Sequence, residues 1–167
     1  MKVLIIVFVV LSLLGSAMWM MPTQRERFQA KLRLKARGEG FQIQLVRLTA
    51  PRGKGEMEGD NHNVPAYRIT RSNVDKKKAE LLKPWQIFKV DAMANEGLPE
   101  KWSWKMGERT LNSDQLVALN QIIDILPADV IALESTPIQV TAYWKEGDES
   151  DLLIIKQALN QLIEGKL

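Results

Sequence analysis

Between Val3 and Met21 the chain reads VLIIVFVVLSLLGSAMWMM, an uncharged run whose only polar side chains are Ser12 and Ser16. As a helix rising about 1.5 Å per residue, it covers roughly 28 Å, close to the ~30 Å hydrocarbon core of a bilayer. Trp19, a residue that favours the membrane–water interface, sits near its end, followed by Pro22 and the basic stretch Thr23–Arg37. The run therefore predicts a single transmembrane anchor over residues 1–21 with a folded domain behind it.

A cleaved secretory signal is the competing reading. Lys2 supplies a minimal charged start, Val3–Leu14 an apolar segment of permitted length, and Gly15-Ser16-Ala17 a small-residue cleavage site. Against it, apolar residues continue through Met21, past the cut. Charge points the same way: Arg25, Arg27, Lys31, Arg33, Lys35 and Arg37 follow the run, whereas only Lys2 and the terminal amine precede it. Positive charge stays on the cytoplasmic side, so the expectation is a single-pass signal-anchor in a bacterial inner membrane. Its C-terminal domain would be cytoplasmic, with a periplasmic placement as the alternative.

The remaining chain is one domain of ordinary size. Cysteine is absent, which removes disulfides, thiolate metal sites and thiol nucleophiles. Charge is polarised along the sequence. Residues 1–40 hold seven basic residues against two acids, 41–107 twelve against eight, and 108–167 four against ten. Residues 22–40 are expected to form a basic juxtamembrane helix capped by Thr23 and broken by Gly38 and Gly40. Its six basic side chains, each worth about 1 kcal/mol near an anionic surface, would orient the domain on lipid headgroups. Topology alone accounts for these charges, so no nucleic-acid partner is expected.

Residues 41–167 read as a soluble α+β domain. Phe41, Ile43 and Leu45 alternate with Gln42 and Gln44, a strand signature over 41–48. Pro51–Pro65 reads as a loop, Ala66–Thr70 as a second strand, and Ser72–Lys83 as a turn or short helix around Val74, Leu81 and Leu82. Trp85–Val90 and Lys101–Met106 give two more strands. Ser113 is expected to cap a helix over Asp114–Leu126, whose Leu116, Leu119, Ile123 and Leu126 fall at helical spacing. Two strands, Asp129–Leu133 and Ile138–Trp144, then precede a helix carrying Leu152, Ile155, Leu159, Leu162 and Ile163. The order predicts a mainly antiparallel sheet with two helices on one face.

Chemical signals are sparse. The lone histidine, His62, lies in the loop-like Asp60-Asn61-His62-Asn63 near Glu56 and Glu58, with no spacing that pre-organises a metal site. No catalytic residue, cofactor or metal ligand emerges. Trp102 and Trp104 flank Ser103, so on a strand both rings share a face. That face is either the core under the helices, a partner contact, or a stacking surface for a small ligand.

Met21-Pro22, Leu34-Lys35-Ala36-Arg37-Gly38, Leu126-Pro127-Ala128-Asp129-Val130 and Tyr143-Trp144-Lys145-Glu146 together resemble a set of uncharacterised bacterial single-pass inner-membrane proteins. The resemblance implies a location and no chemistry. The expected function is a non-enzymatic, membrane-tethered interaction or accessory domain with a membrane-protein partner. Its rival is a membrane-associated small-ligand or lipid-binding module, with or without enzymatic activity, using the Trp-bearing face.

Overall fold

The structure, a computed structural model, describes residues 2–19, 21–72 and 82–167, and the side chains of residues 17–19 are outside that description. The expected turn or helix around Val74 and Leu81 therefore lies outside the described residues, as does the interfacial side chain of Trp19. The chain divides into two units, Met1–Leu34 and Lys35–Leu167.

The first unit contains helix α1, Lys2–Trp19, and most of helix α2, Gln24–Gly38. Thr23 and Glu26 close the start of α2 reciprocally: Thr23 N donates to Glu26 Oε2 at 2.6 Å, and Glu26 N to Thr23 Oγ1 at 3.3 Å. Hydrogen bonds from Thr23 favour the ionised carboxyl and hold the Glu26 pKa below its ordinary value.

The anchor expectation needs correcting here. Among the described residues, no helix is long and apolar enough to cross a membrane. The transmembrane part of the expected fold, the single-pass signal-anchor, and the inner-membrane localisation built on them are overturned by that finding. What remains is an apolar helix: Val3 to Leu14 expose large side chains on every side, from 48% at Val10 to 75% at Leu4.

The second unit is α+β. Its strands are β1 Gln42–Thr49, β2 Asn61–Thr70, β3 Trp85–Phe88, β4 Ser103–Met106, β5 Val130–Ser135 and β6 Gln139–Trp144. They form one sheet in the order β1-β2-β6-β5-β3-β4, antiparallel throughout. Three hairpins of consecutive strands build it, and the last in sequence, β5–β6, occupies the middle. Strand β2 begins at Asn61, inside the stretch read as loop from its Asn and Pro content. Pro65 is tolerated because β6 pairs only with Ala66–Thr70, so at Pro65 the strand has β1 as its sole neighbour and needs no second donor.

Helix α3, Ser113–Ile125, starts one residue earlier than Ser113 capping would allow. Asn112 is the cap, with Gln115 N donating to Asn112 Oδ1 at 2.9 Å and Asn112 N to Gln115 Oε1 at 3.0 Å. Helix α4, Asp151–Glu164, follows β6 and buries Leu152, Ile155, Ala158, Leu159 and Leu162.

Register assigns the two faces. Ile43, Tyr67, Ala142, Leu133, Ile87 and Trp104 lie in one row across all six strands, and this apolar face carries the helices. Tyr67 stacks edge-on against both Phe41 and Trp144, with centroids at 5.6 and 5.2 Å. The opposite face bears a smaller buried cluster of Ala50, Val64, Ala66, Phe88, Ala132 and Tyr143.

Candidate functional site

Polar side chains collect on that opposite face. Direct register partners form the row Gln42–Arg68–Thr141–Glu134–Gln86, one residue each from β1, β2, β6, β5 and β3. Each strand contributes because alternate residues point to the same side, and antiparallel pairing sets opposite partners side by side. Tyr143, one step along β6 on the same face, donates its hydroxyl to Glu134 Oε2 at 2.7 Å, and Gln86 Nε2 donates to the same oxygen at 2.7 Å. Arg68 Nη1 donates to Gln44 Oε1 at 2.7 Å.

Two groups in this row lack partners. Thr141 is fully buried and its Oγ1 makes no hydrogen bond, and the buried Arg68 Nε is likewise unmatched. Arg68 and Glu134 are half-buried, of opposite charge, and on the same face with Thr141 between them. Among the described residues they form no ion pair with each other, whereas Lys35–Glu149, Lys54–Asp91, Arg109–Glu96 and Lys156–Glu39 do.

Burial, then the Glu134 hydrogen bond and charge, push the Tyr143 hydroxyl well above its ordinary pKa, with Arg68 and Gln86 opposing. A phenol so held stays protonated at neutral pH and is a fixed donor. His62 sits in β2 opposite Leu48, and among the described residues no group of acids and histidine could hold a metal ion.

The residues singled out from sequence are dispersed. Arg25, Arg27, Lys31 and Arg37 are exposed along α2, Arg33 is half-buried, and Lys35 is bound to Glu149 at 2.6 Å. Trp102 and Trp104 are 6% and 3% exposed. Trp104 donates its indole N–H to Glu96 O at 2.9 Å and meets Trp85 edge-on at 6.2 Å, which is how a core ring is held. Trp104 also borders a largely apolar cleft of about 590 Å³, with Pro51, Arg52, Lys54, Glu56, Met93 and Ala94 around it. Neither Arg68 nor Arg71 nor Lys105 reaches that cleft. Arg71 is buried at the end of β2, where Nε donates to Thr136 O at 2.9 Å and Nη2 to Ser135 Oγ at 2.7 Å and to Leu167 O.

The polar row escaped sequence reading because each member is a single polar residue in its own strand. The available signal was a charged or hydroxyl residue inside an apolar run, as with Glu134 in VIALES and Thr141 in QVTAYW. No family model, curated protein or solved structure matches the chain.

Proposed function

We propose that the chain is a non-enzymatic interaction domain of a larger assembly, tethered to that assembly by α1. The observation that carries this reading is the all-round exposure of α1. A helix apolar on every side is stable only where an apolar surrounding encloses it, and a lone chain in water leaves far smaller apolar patches uncovered. The second unit supports the reading with a sheet face of fixed donors and acceptors in place of a titrating pair.

The test is crosslinking of the full chain in its own cells. The wild-type chain is expected in adducts with other proteins, and Val7→Lys with Leu11→Lys, four residues apart on one side of α1, is expected to return it to monomer. An unchanged melting temperature of the variant shows that the folded unit is intact. Recovery of the wild-type chain only as a monomer refutes the tether.

A small-ligand reading retains one favourable observation, the apolar cleft beside Trp104. Quenching of tryptophan fluorescence by an apolar probe such as anilinonaphthalene sulfonate, abolished by Ala94→Trp, would support it.

A further inference from the structure

The two edges of the sheet differ. β4 is four residues long, carries Lys105, lies beside a register irregularity in β3, and has its Trp104 N–H taken by Ala94 O at 2.6 Å. Shortness, charge, irregularity and a covering loop are the devices that keep a strand edge from pairing with another chain. β1 has none of these but charge: it runs eight residues in unbroken register with β2, without Pro or Gly, and Arg47 is its one charged residue. Among the described residues no strand lies on its outer side.

Register shows which backbone groups that edge presents. Ala50 N donates to Asp60 O at 2.8 Å, one step beyond the Thr49–Asn61 pair, so the even-numbered residues of β1 turn their N–H and C=O toward β2. Arg71 N donates to Ile138 O at 2.8 Å, so the odd-numbered residues of β2 bond β6, as that alternation requires. Ile43, Leu45, Arg47 and Thr49 therefore point their N–H and C=O outward. Leu45, in the middle of the strand, also leaves its side chain 63% exposed.

We infer that the outer edge of β1 pairs antiparallel with β1 of a second copy, about a two-fold axis through Leu45, and joins two sheets into one. A two-fold copy supplies an edge of matching length and the antiparallel sense found in every pair of this sheet. With the axis at Leu45, Ile43 faces Arg47 of the second copy and Leu45 faces Leu45, and each such pair exchanges both backbone hydrogen bonds. The exposed leucines cover each other, while the two Arg47 positions stay roughly 14 Å apart along the strands, so no like charges are opposed. One strand pair falls at the small end of specific interfaces, below about 1,200 Å², so the dimer is weak and dissociates on dilution. The inference is separate from the tether, because β1 belongs to the second unit and the pairing uses nothing from α1.

The absence of cysteine makes the test clean. A purified, concentrated full-length Leu45→Cys chain treated with a short bis-maleimide is expected to give covalent dimer, because the facing Cα atoms are about 5.5 Å apart. Thr49→Cys, exposed on the same edge, should give little, since the axis puts its copy roughly 27 Å away. Arg47→Pro and Ile43→Pro each delete an outward N–H and spare the β1–β2 ladder, as Pro65 spares it in β2. Adding either to Leu45→Cys should leave the melting temperature near its former value and lower the yield roughly tenfold, since symmetry removes a hydrogen bond on both sides of the axis. The contrast between Leu45 and Thr49 uses no proline, so it stands if either variant folds poorly.

Equal yields at Leu45 and Thr49, or full yield from a folded proline variant, overturn the inference. So does a Leu45→Cys chain that gives no dimer when pure and only adducts with other proteins in its cells, which assigns the edge to a different strand. Association through α1 does not distinguish Leu45 from Thr49, so loss of that contrast leaves the tether reading intact. Conversely, the concentrated Leu45→Cys chain carrying Val7→Lys and Leu11→Lys should still give the dimer.

Discussion

Replacing Thr141 with Val is expected to stabilise the protein, although most core substitutions do the opposite. Thr141 is fully buried on β6, and its Oγ1 has no hydrogen-bond partner. A buried hydroxyl that has given up water without a replacement costs about 1–3 kcal/mol. Valine has nearly the same shape and a high strand preference, so the exchange removes that cost and leaves the packing in place. A gain of about 1 kcal/mol, with a urea m-value near 2 kcal/mol per M, moves the unfolding midpoint up by about 0.5 M. Thr141→Ser provides the counterpart: it keeps the hydroxyl, deletes a buried methyl, and should lower stability by about 1 kcal/mol. The assay is urea unfolding of the full chain followed by tryptophan fluorescence, with Trp85, Trp102, Trp104 and Trp144 all buried reporters. A midpoint that falls or stays put in Thr141→Val at constant m refutes the reasoning, because it means the hydroxyl is matched in solution.

Two further outcomes follow from local geometry. Gly107 and Gly40 both adopt left-handed backbone, at φ +82° and +93°, but a Cβ at Gly107 would meet Trp85 Cβ at 2.5 Å and Pro84 O at 2.9 Å, whereas Gly40 faces open space. Gly40→Ala should therefore cost only the conformational ~1–2 kcal/mol, and Gly107→Ala about 3 kcal/mol or more, since the backbone of β3 must also shift; equal losses in calorimetry would show that the contact is relieved freely. The pH dependence of stability should carry a Tyr143 component. Its folded-state pKa is raised above the ordinary 10.0, chiefly by burial. The unfolded chain then ionises first, so this contribution is fully present below about pH 10 and is lost as pH rises beyond it. Subtracting the Tyr143→Phe profile from wild type should isolate that decline, and parallel profiles above about pH 10 would contradict it.

The sequence was legible where the physical signal was local. Alternation in Phe41–Leu48 correctly separates Ile43, on the helix-bearing face, from Gln42 and Gln44 on the other, because period two is intrinsic to an extended chain. The stripe Leu152, Ile155, Leu159 and Leu162 is buried as its helical spacing requires. Reading failed where neighbours decided. Asn61–Pro65 is extended only because β1 lies beside it, and no property of Asn-His-Asn-Val-Pro announces that partner. The cap of α3 fell to Asn112 over the equally plausible Ser113 because Gln115 closes a box with the former. The polar row was invisible for a stronger reason: Gln42, Arg68, Gln86, Glu134 and Thr141 lie far apart in sequence, and strand register alone aligns them. The apolar N-terminus showed the reverse error, a composition that suits a bilayer in a described helix that falls short of one.

The strand order also governs how this chain comes into being. Synthesis delivers the β1–β2 and β3–β4 hairpins first, and neither can pair with the other, since in the finished sheet the β5–β6 hairpin separates them. Until residues 130–144 emerge, the inner edges of β2 and β3 offer unpaired backbone groups to any passing strand. Closing the sheet is then an insertion, a late wedge joining two waiting halves over long sequence distances, which makes folding slow and its intermediates sticky. Truncation before β5 would leave two separate ribbons instead of a smaller domain, and the newborn chain has most need of a chaperone just before its last hairpin arrives.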